Sequence, residues 1–208
     1  MSRRIIAVAA VIILAAVGIV GGTLAWFTDK ETANNQLNTG KIDVELYENG
    51  VKVDGGGITV NDFMPGDKEA KKVKVRAAQG SGEAWIRAKV EFDWGDAVLN
   101  ANPKVVINYN TRDWEKIGDW FYYKWTIKPG GPRLSEADDA IEAFAYSEFN
   151  WNQPNSETSH LFDKVELSKD AGNEYASKPL KIKITVQAVQ ADNNRPKYLK
   201  DIEGWPNP

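Results

Sequence analysis

The sequence has no cysteine and a single histidine, His160. The first absence excludes disulfides, thiolate zinc sites, iron–sulfur clusters and cysteine nucleophiles. The second excludes the H-E-x-x-H zinc protease, which needs two imidazoles one helical turn apart. A Ser-His-Asp triad would have to run through His160, which stands beside a polar stretch in a chain with no G-x-S-x-G element. His160 is therefore expected at the surface or a strand edge. No excess of basic charge exists either: 26 Lys+Arg face 29 Asp+Glu. Nucleic acid and anionic lipid would favour a basic stripe, so neither is expected as a partner. No catalytic, cofactor or metal residue is expected. At 208 residues the chain can bury a core without disulfides.

What is present begins with a leader. Arg3 and Arg4 precede an uncharged apolar run from Ile5 to Val20. The run is near the upper length of a signal-peptide core and short for a membrane span, which takes about 20 residues. Gly21 and Gly22 loosen any helix. Thr23-Leu24-Ala25 then offers small residues for a cut between Ala25 and Trp26, with no basic stop-transfer cluster after it. Residues 1–25 are read as a cleavable secretory signal, a retained anchor being the alternative. The chain is thus expected to be exported, touching a membrane only before cleavage. Losing Arg3 and Arg4 leaves 24 basic against 29 acidic side chains, a mildly acidic, soluble surface.

The rest alternates with period 2. Ile42, Val44 and Leu46 alternate with Lys41, Asp43 and Glu45. Further runs occur at Lys72–Ala77, Ala84–Phe92 and Lys181–Ala188, each with one apolar and one polar face. Strands are also expected at Val105–Tyr109, Trp120–Ile127 and Leu161–Leu167. Prolines sit between elements, and Met64-Pro65-Gly66-Asp67 and Lys128-Pro129-Gly130-Gly131 are turn sequences. Asp54-Gly55-Gly56-Gly57 lacks the lysine of a phosphate loop and reads as a flexible hairpin connection. Ser135–Phe149 has helical spacing, and Asn150–Ser159 reads as a polar loop. Seven to nine strands of this kind define an all-β chain, a jelly roll or β-sandwich with a short helical or loop insertion.

The aromatic load is high, with 8 Trp, 7 Tyr and 7 Phe, and is expected mainly in core and inter-sheet packing. Trp120 and Tyr122 share one face of their strand and are the candidates for stacking on sugar rings. The carboxylate pairs Glu45/Glu48, Asp93/Asp96 and Asp138/Asp139 lack calcium-loop spacing and read as solvated charge.

The stretch Gly21-Gly22-Thr23-Leu24-Ala25-Trp26-Phe27-Thr28-Asp29 resembles the export signal of the TasA/camelysin family, including the BsaA-like matrix proteins. Asn38-Thr39-Gly40-Lys41-Ile42-Asp43-Val44, Met64-Pro65-Gly66-Asp67, Gly118–Pro129, Leu161–Val165 and Ala188–Asn193 resemble further motifs of that family, in order. Some camelysin members are described as metalloproteases, an activity that a single histidine does not support here. The resemblance implies cleavage by a SipW-type signal peptidase. It also implies a secreted structural subunit of extracellular biofilm matrix fibres, located in the matrix or at the surface of a bacterium. Fibres would grow head to tail by donor-strand complementation, with other copies of the chain and other matrix proteins as partners. Residues 26–40 would be the donor segment, with Trp26, Phe27, Asp29 and Leu37 in the donor strand, and 41–208 the jelly-roll domain. A monomeric cell-surface or carbohydrate-binding β-sandwich module is the alternative. In that case the same segment folds back on its own domain.

Overall fold

β-branched and aromatic residues at alternate positions give strands one apolar face, which must be buried against a second sheet. The computed structural model describes residues 28–31, 42–54, 57–134 and 154–206. Among these, the strands in chain order are β1 (Thr28–Glu31), β2 (Val44–Glu48), β3 (Val51–Lys52), β4 (Ile58–Phe63), β5 (Lys68–Ala77) and β6 (Ala84–Asp93). They continue as β7 (Val105–Tyr109), β8 (Trp114–Ile117), β9 (Trp120–Ile127), β10 (Phe162–Leu167) and β11 (Lys178–Gln190). One short helix, α1 (Ala97–Ala101), follows β6, and a 3-10 turn spans Leu199–Asp201.

The strands form two sheets in which every pairing is antiparallel. The first runs β8-β9-β6-β11, with β4 and β1 both bonded to β11 beyond it; the second runs β3-β2-β5-β10-β7. Only the β2–β3 and β8–β9 connections stay within one sheet, so the chain passes back and forth between the layers. The result is a two-sheet antiparallel β-sandwich.

Both inner faces feed one core. Val44, Val75 and Phe162 come from one sheet, and Ile86, Tyr123 and Ile182 from the other. Tyr109 of β7 stacks on Phe121 of β9 across the interlayer space, ring centroids 4.2 Å apart, and meets Phe162 edge-on at 6.0 Å. Burial pushes the Tyr109 hydroxyl pKa up to about 12.

The connections are pinned locally. In the Met64–Asp67 turn, Asp67 N–H donates to the Met64 carbonyl, and Gly66 supplies φ +93°. Asp96 caps α1 by accepting from the amides of Val98 and Leu99, and Asp93 accepts from Gly95 N–H and Asn100. These two carboxylates are turn and helix caps rather than free charge.

Four expectations change. Asp54–Gly57 is no hairpin, because β3 and β4 lie in different sheets; it is a crossover. Gly57 passes so close to β11 that a Cβ there would lie 2.3 Å from the Ile182 carbonyl oxygen. Pro179 stands inside β11, at an irregularity in its pairing with β4 near the strand's start, where a missing N–H is tolerated. Residues 154–160 are not a solvated loop, and His160 is not a surface residue: it is 4% exposed. That segment extends β10 along β5, with Leu161 N–H donating to Val73 and Thr158 N–H to Val75. The helical reading of Ser135–Phe149 lies outside the described residues, as do Asp138 and Asp139.

Candidate functional site

β11 is the longest strand, and its two edges are filled differently. β6 pairs with it without interruption from Lys181 to Gln190. On the other edge β4 covers Lys178–Ile182 and β1 covers Val186–Val189. Lys183, Ile184 and Thr185 lie between these two partner strands. The edge is therefore filled in two pieces, one from the body of the sandwich and one from the chain's N-terminal side. β1 pairs with no strand but β11.

Of the residues assigned to signal cleavage and the donor strand, Asp29 is in β1, opposite Ala188. Ala25, Trp26, Phe27 and Leu37 lie outside the described residues. In this register Lys30 stands opposite Gln187, and Glu31 opposite Val186. Ala188 and Val186 belong to the core cluster, so both positions paired with core-facing residues are acidic.

Alternation in β11 marks Thr185 and Gln187 as wet, yet both are buried; Gln187 is 0% exposed. Beside Gln187 in its cross-strand row, Arg87 and Tyr122 are covered by the C-terminal stretch that follows β11. Asn194 accepts at its carbonyl from Trp85 Nε1 (2.6 Å), and its side chain exchanges two hydrogen bonds with the Glu203 backbone. That clamp returns the chain over the sheet, where Trp205 meets Tyr122 edge-on at 5.6 Å. Tyr122, a candidate sugar platform, is thus 7% exposed, and the Trp120 ring is occupied by Arg87.

Tyr122, Arg87 and Gln187 form one cross-strand row over β9, β6 and β11. The Arg87 guanidinium lies 4.3 Å from the Trp120 ring centroid and 4.5 Å from that of Trp205. It donates through Nε and one terminal nitrogen to Gln187 Oε1 (2.9 and 2.6 Å), and through the other to Tyr122 Oη (2.9 Å). Since arginine only donates, the amide must present its oxygen to Arg87 and its nitrogen away from it. Gln187 Nε2 and Trp205 Nε1 are both buried without a hydrogen-bond partner. Among the described residues no carboxylate pairs with Arg87.

A second polar cluster is fully matched. Glu157, 1% exposed, accepts from Lys74 Nζ (2.8 Å) and from Arg76 Nε and a terminal nitrogen (2.9 and 2.7 Å). Asp113, 2% exposed, accepts from Arg112 and from Asn110, whose amide also donates to Ser159 Oγ. Burial works to raise the Asp113 pKa, but the bonds from Arg112, Asn110 and Ser159 together hold it below the usual carboxylate range. These groups tie the β7–β8 crossover and residues 156–160 into the fold. On β2, Glu45 accepts from Lys52 and Tyr47, and Glu48 pairs with Lys71.

The fold defines a two-sheet antiparallel sandwich whose conspicuous feature is a sheet edge completed by an N-terminal strand. Residues 3–83 match the family described as camelysin metallo-endopeptidase. Over that stretch, which is under half of the chain, the sequence is similar to the TasA/camelysin family that its N-terminal motifs resemble. No curated protein and no solved structure matched the chain. The family's description implies a metal, which the described residues do not fit. The chain has one histidine and no cysteine, and no group of three or more His, Asp or Glu could hold an ion among the described residues.

Proposed function

We propose that this chain is a secreted structural subunit of extracellular matrix fibres, polymerising head to tail by donor-strand complementation, and that it is not an enzyme. The match of residues 3–83 to the camelysin family supports a secreted, biofilm-type protein at the level of the family. The observation that carries the finer reading is the two-piece edge of β11. A strand of four residues, attached to its sheet on one side only, fills Val186–Val189. A strand with so few partners exchanges between copies at low cost. An equivalent ladder of backbone bonds forms whether the strand comes from its own chain or from the next. In the free subunit β1 lies on its own β11; in the fibre the N-terminal segment of one copy fills that edge of another. Because the contact joins different surfaces on the two copies, it need not close into a ring.

Cleavage after Ala25 by a SipW-type peptidase releases the segment, which keeps export and assembly in order. The test is deletion of Trp26–Leu37 with electron microscopy of the secreted product. Fibres from the intact chain and none from the deletion are expected; fibres of normal form from the deletion would overturn the mechanism.

A further inference from the structure

The row Tyr122–Arg87–Gln187 ends at the part of β11 that β1 fills, and its chemistry is one-sided. Arg87 is a half-buried cation whose hydrogen-bond partners, Gln187 and Tyr122, are neutral. Gln187 Nε2 is a fully buried donor with no acceptor. With its oxygen held by Arg87 of β6, the amide nitrogen is turned from the guanidinium, and the strand paired with this part of β11 on the side opposite β6 is β1. An unpaired buried donor keeps its full desolvation penalty, and a guanidinium away from bulk water favours an anion. Both features ask for a carboxylate at the position opposite Gln187.

The chain's own β1 puts the wrong residue there. Lys30 stands opposite Gln187, and a lysine has only donors to offer. The two acidic residues, Asp29 and Glu31, meanwhile stand opposite the core-facing Ala188 and Val186. Sliding the strand by one residue reverses every face. Glu31 then comes opposite Gln187, where its carboxylate meets the Nε2 donor and the field of Arg87. Asp29 comes opposite Val189, on the same side. Lys30 moves to the core-facing side, where its long apolar stem can lie along the sheet edge with its charge in water.

We infer that Arg87 and Gln187 form a recognition site for Glu31 of a second copy, so that the fibre is assembled one residue out of the register that β1 adopts on its own chain. This rests on the proposed donor-strand assembly and adds what selects the incoming strand. The self-paired strand carries a mismatch at the row's end that the exchanged strand removes, which favours exchange over self-closure.

The sign of one substitution decides it. The full-length chain is exported from a bacterial host that makes the signal peptidase. Fibre growth is followed by light scattering and electron microscopy, and the thermal midpoint of the unassembled subunit is measured. Gln187→Glu puts a carboxylate beside Arg87, so the midpoint is expected to hold or rise. Fibre growth is expected to slow about ten-fold, because the carboxylate introduced at position 187 repels Glu31. Glu31→Lys is expected to slow growth similarly, and the double variant Glu31→Lys/Gln187→Glu to restore it. Should Gln187→Glu not fold, Gln187→Met, which removes the amide donors at similar volume, is expected to slow growth several-fold.

Unchanged growth of a folded Gln187→Glu chain overturns the inference. So does faster growth, the result expected if Lys30 stays opposite position 187. Absence of fibres from the unsubstituted chain overturns the assembly reading itself, and the register with it, before any substitution is compared.

Discussion

Glu157 shows how strongly one side chain can hold this sandwich. It is 1% exposed and accepts three hydrogen bonds from Lys74 and Arg76, which lie on β5, 83 and 81 residues away in sequence. Removing one partner of a buried ion pair leaves its counter-charges uncompensated, at a cost of about 3–5 kcal/mol. Glu157→Gln is expected to destabilise by that order in urea unfolding at neutral pH. The contribution of Asp113 depends on pH. Its folded pKa is depressed, so the stability it supplies is fully present above its unfolded value of about 4. It is lost as the pH falls through the lower folded value. Asp113→Asn is expected to flatten the dependence of unfolding free energy on pH below about 4, a comparison that unfolding curves at several acid pH values would make. Neither role was legible from sequence. Glu157 and His160 stand in a polar stretch that looks solvated, and only partners distant along the chain make its burial possible.

Among the elements, legibility tracked the regularity of the apolar pattern. β7 and β9 fall where uninterrupted runs place them, Val105–Tyr109 and Trp120–Ile127. β4 escaped notice because Asn61 and Asp62 interrupt its alternation, Asp62 with φ +52°, and because a glycine run precedes it. β8 is only four residues, with Glu115 and Lys116 between Trp114 and Ile117, too short to show a period. The outer face of β11 misled for another reason. Thr185 and Gln187 are polar yet buried, and burial that depends on the tertiary fold leaves no mark on local periodicity. The crossover between β3 and β4 depends on one glycine. Gly57 has φ +108°, and any Cβ there would press on the Ile182 backbone of β11. Gly57→Ala is expected to cost about 1–3 kcal/mol, seen as a lower thermal midpoint, and to loosen the β4–β11 edge first. Amide hydrogen exchange along Lys178–Ile182 would report that loosening.

For the molecule as a whole, the N-terminal family motifs and the two-layer fold are legible in the sequence, while the two-piece edge of β11 is not. Nothing in the β11 sequence says that one of its edges is shared between β4 and β1, because that follows from topology. The account therefore turns on whether β1 leaves its own chain. The absence of cysteine makes this directly measurable. One population carries Lys30→Cys and the other Lys183→Cys, an exposed position on β11 beside the part that β1 fills. Position 30 lies opposite 187 in the self-paired register and opposite 188 one residue out of it, four or five residues from 183 and roughly 13–17 Å along a strand, so a flexible bismaleimide of about that reach can join positions 30 and 183 in either register if the strand of one copy lies on the sheet of another. Mixed and assembled, the two populations are expected to give a cross-linked heterodimer in high yield. A strand that stays on its own chain would give none above the level of chance collision, and that result would contradict assembly by strand exchange.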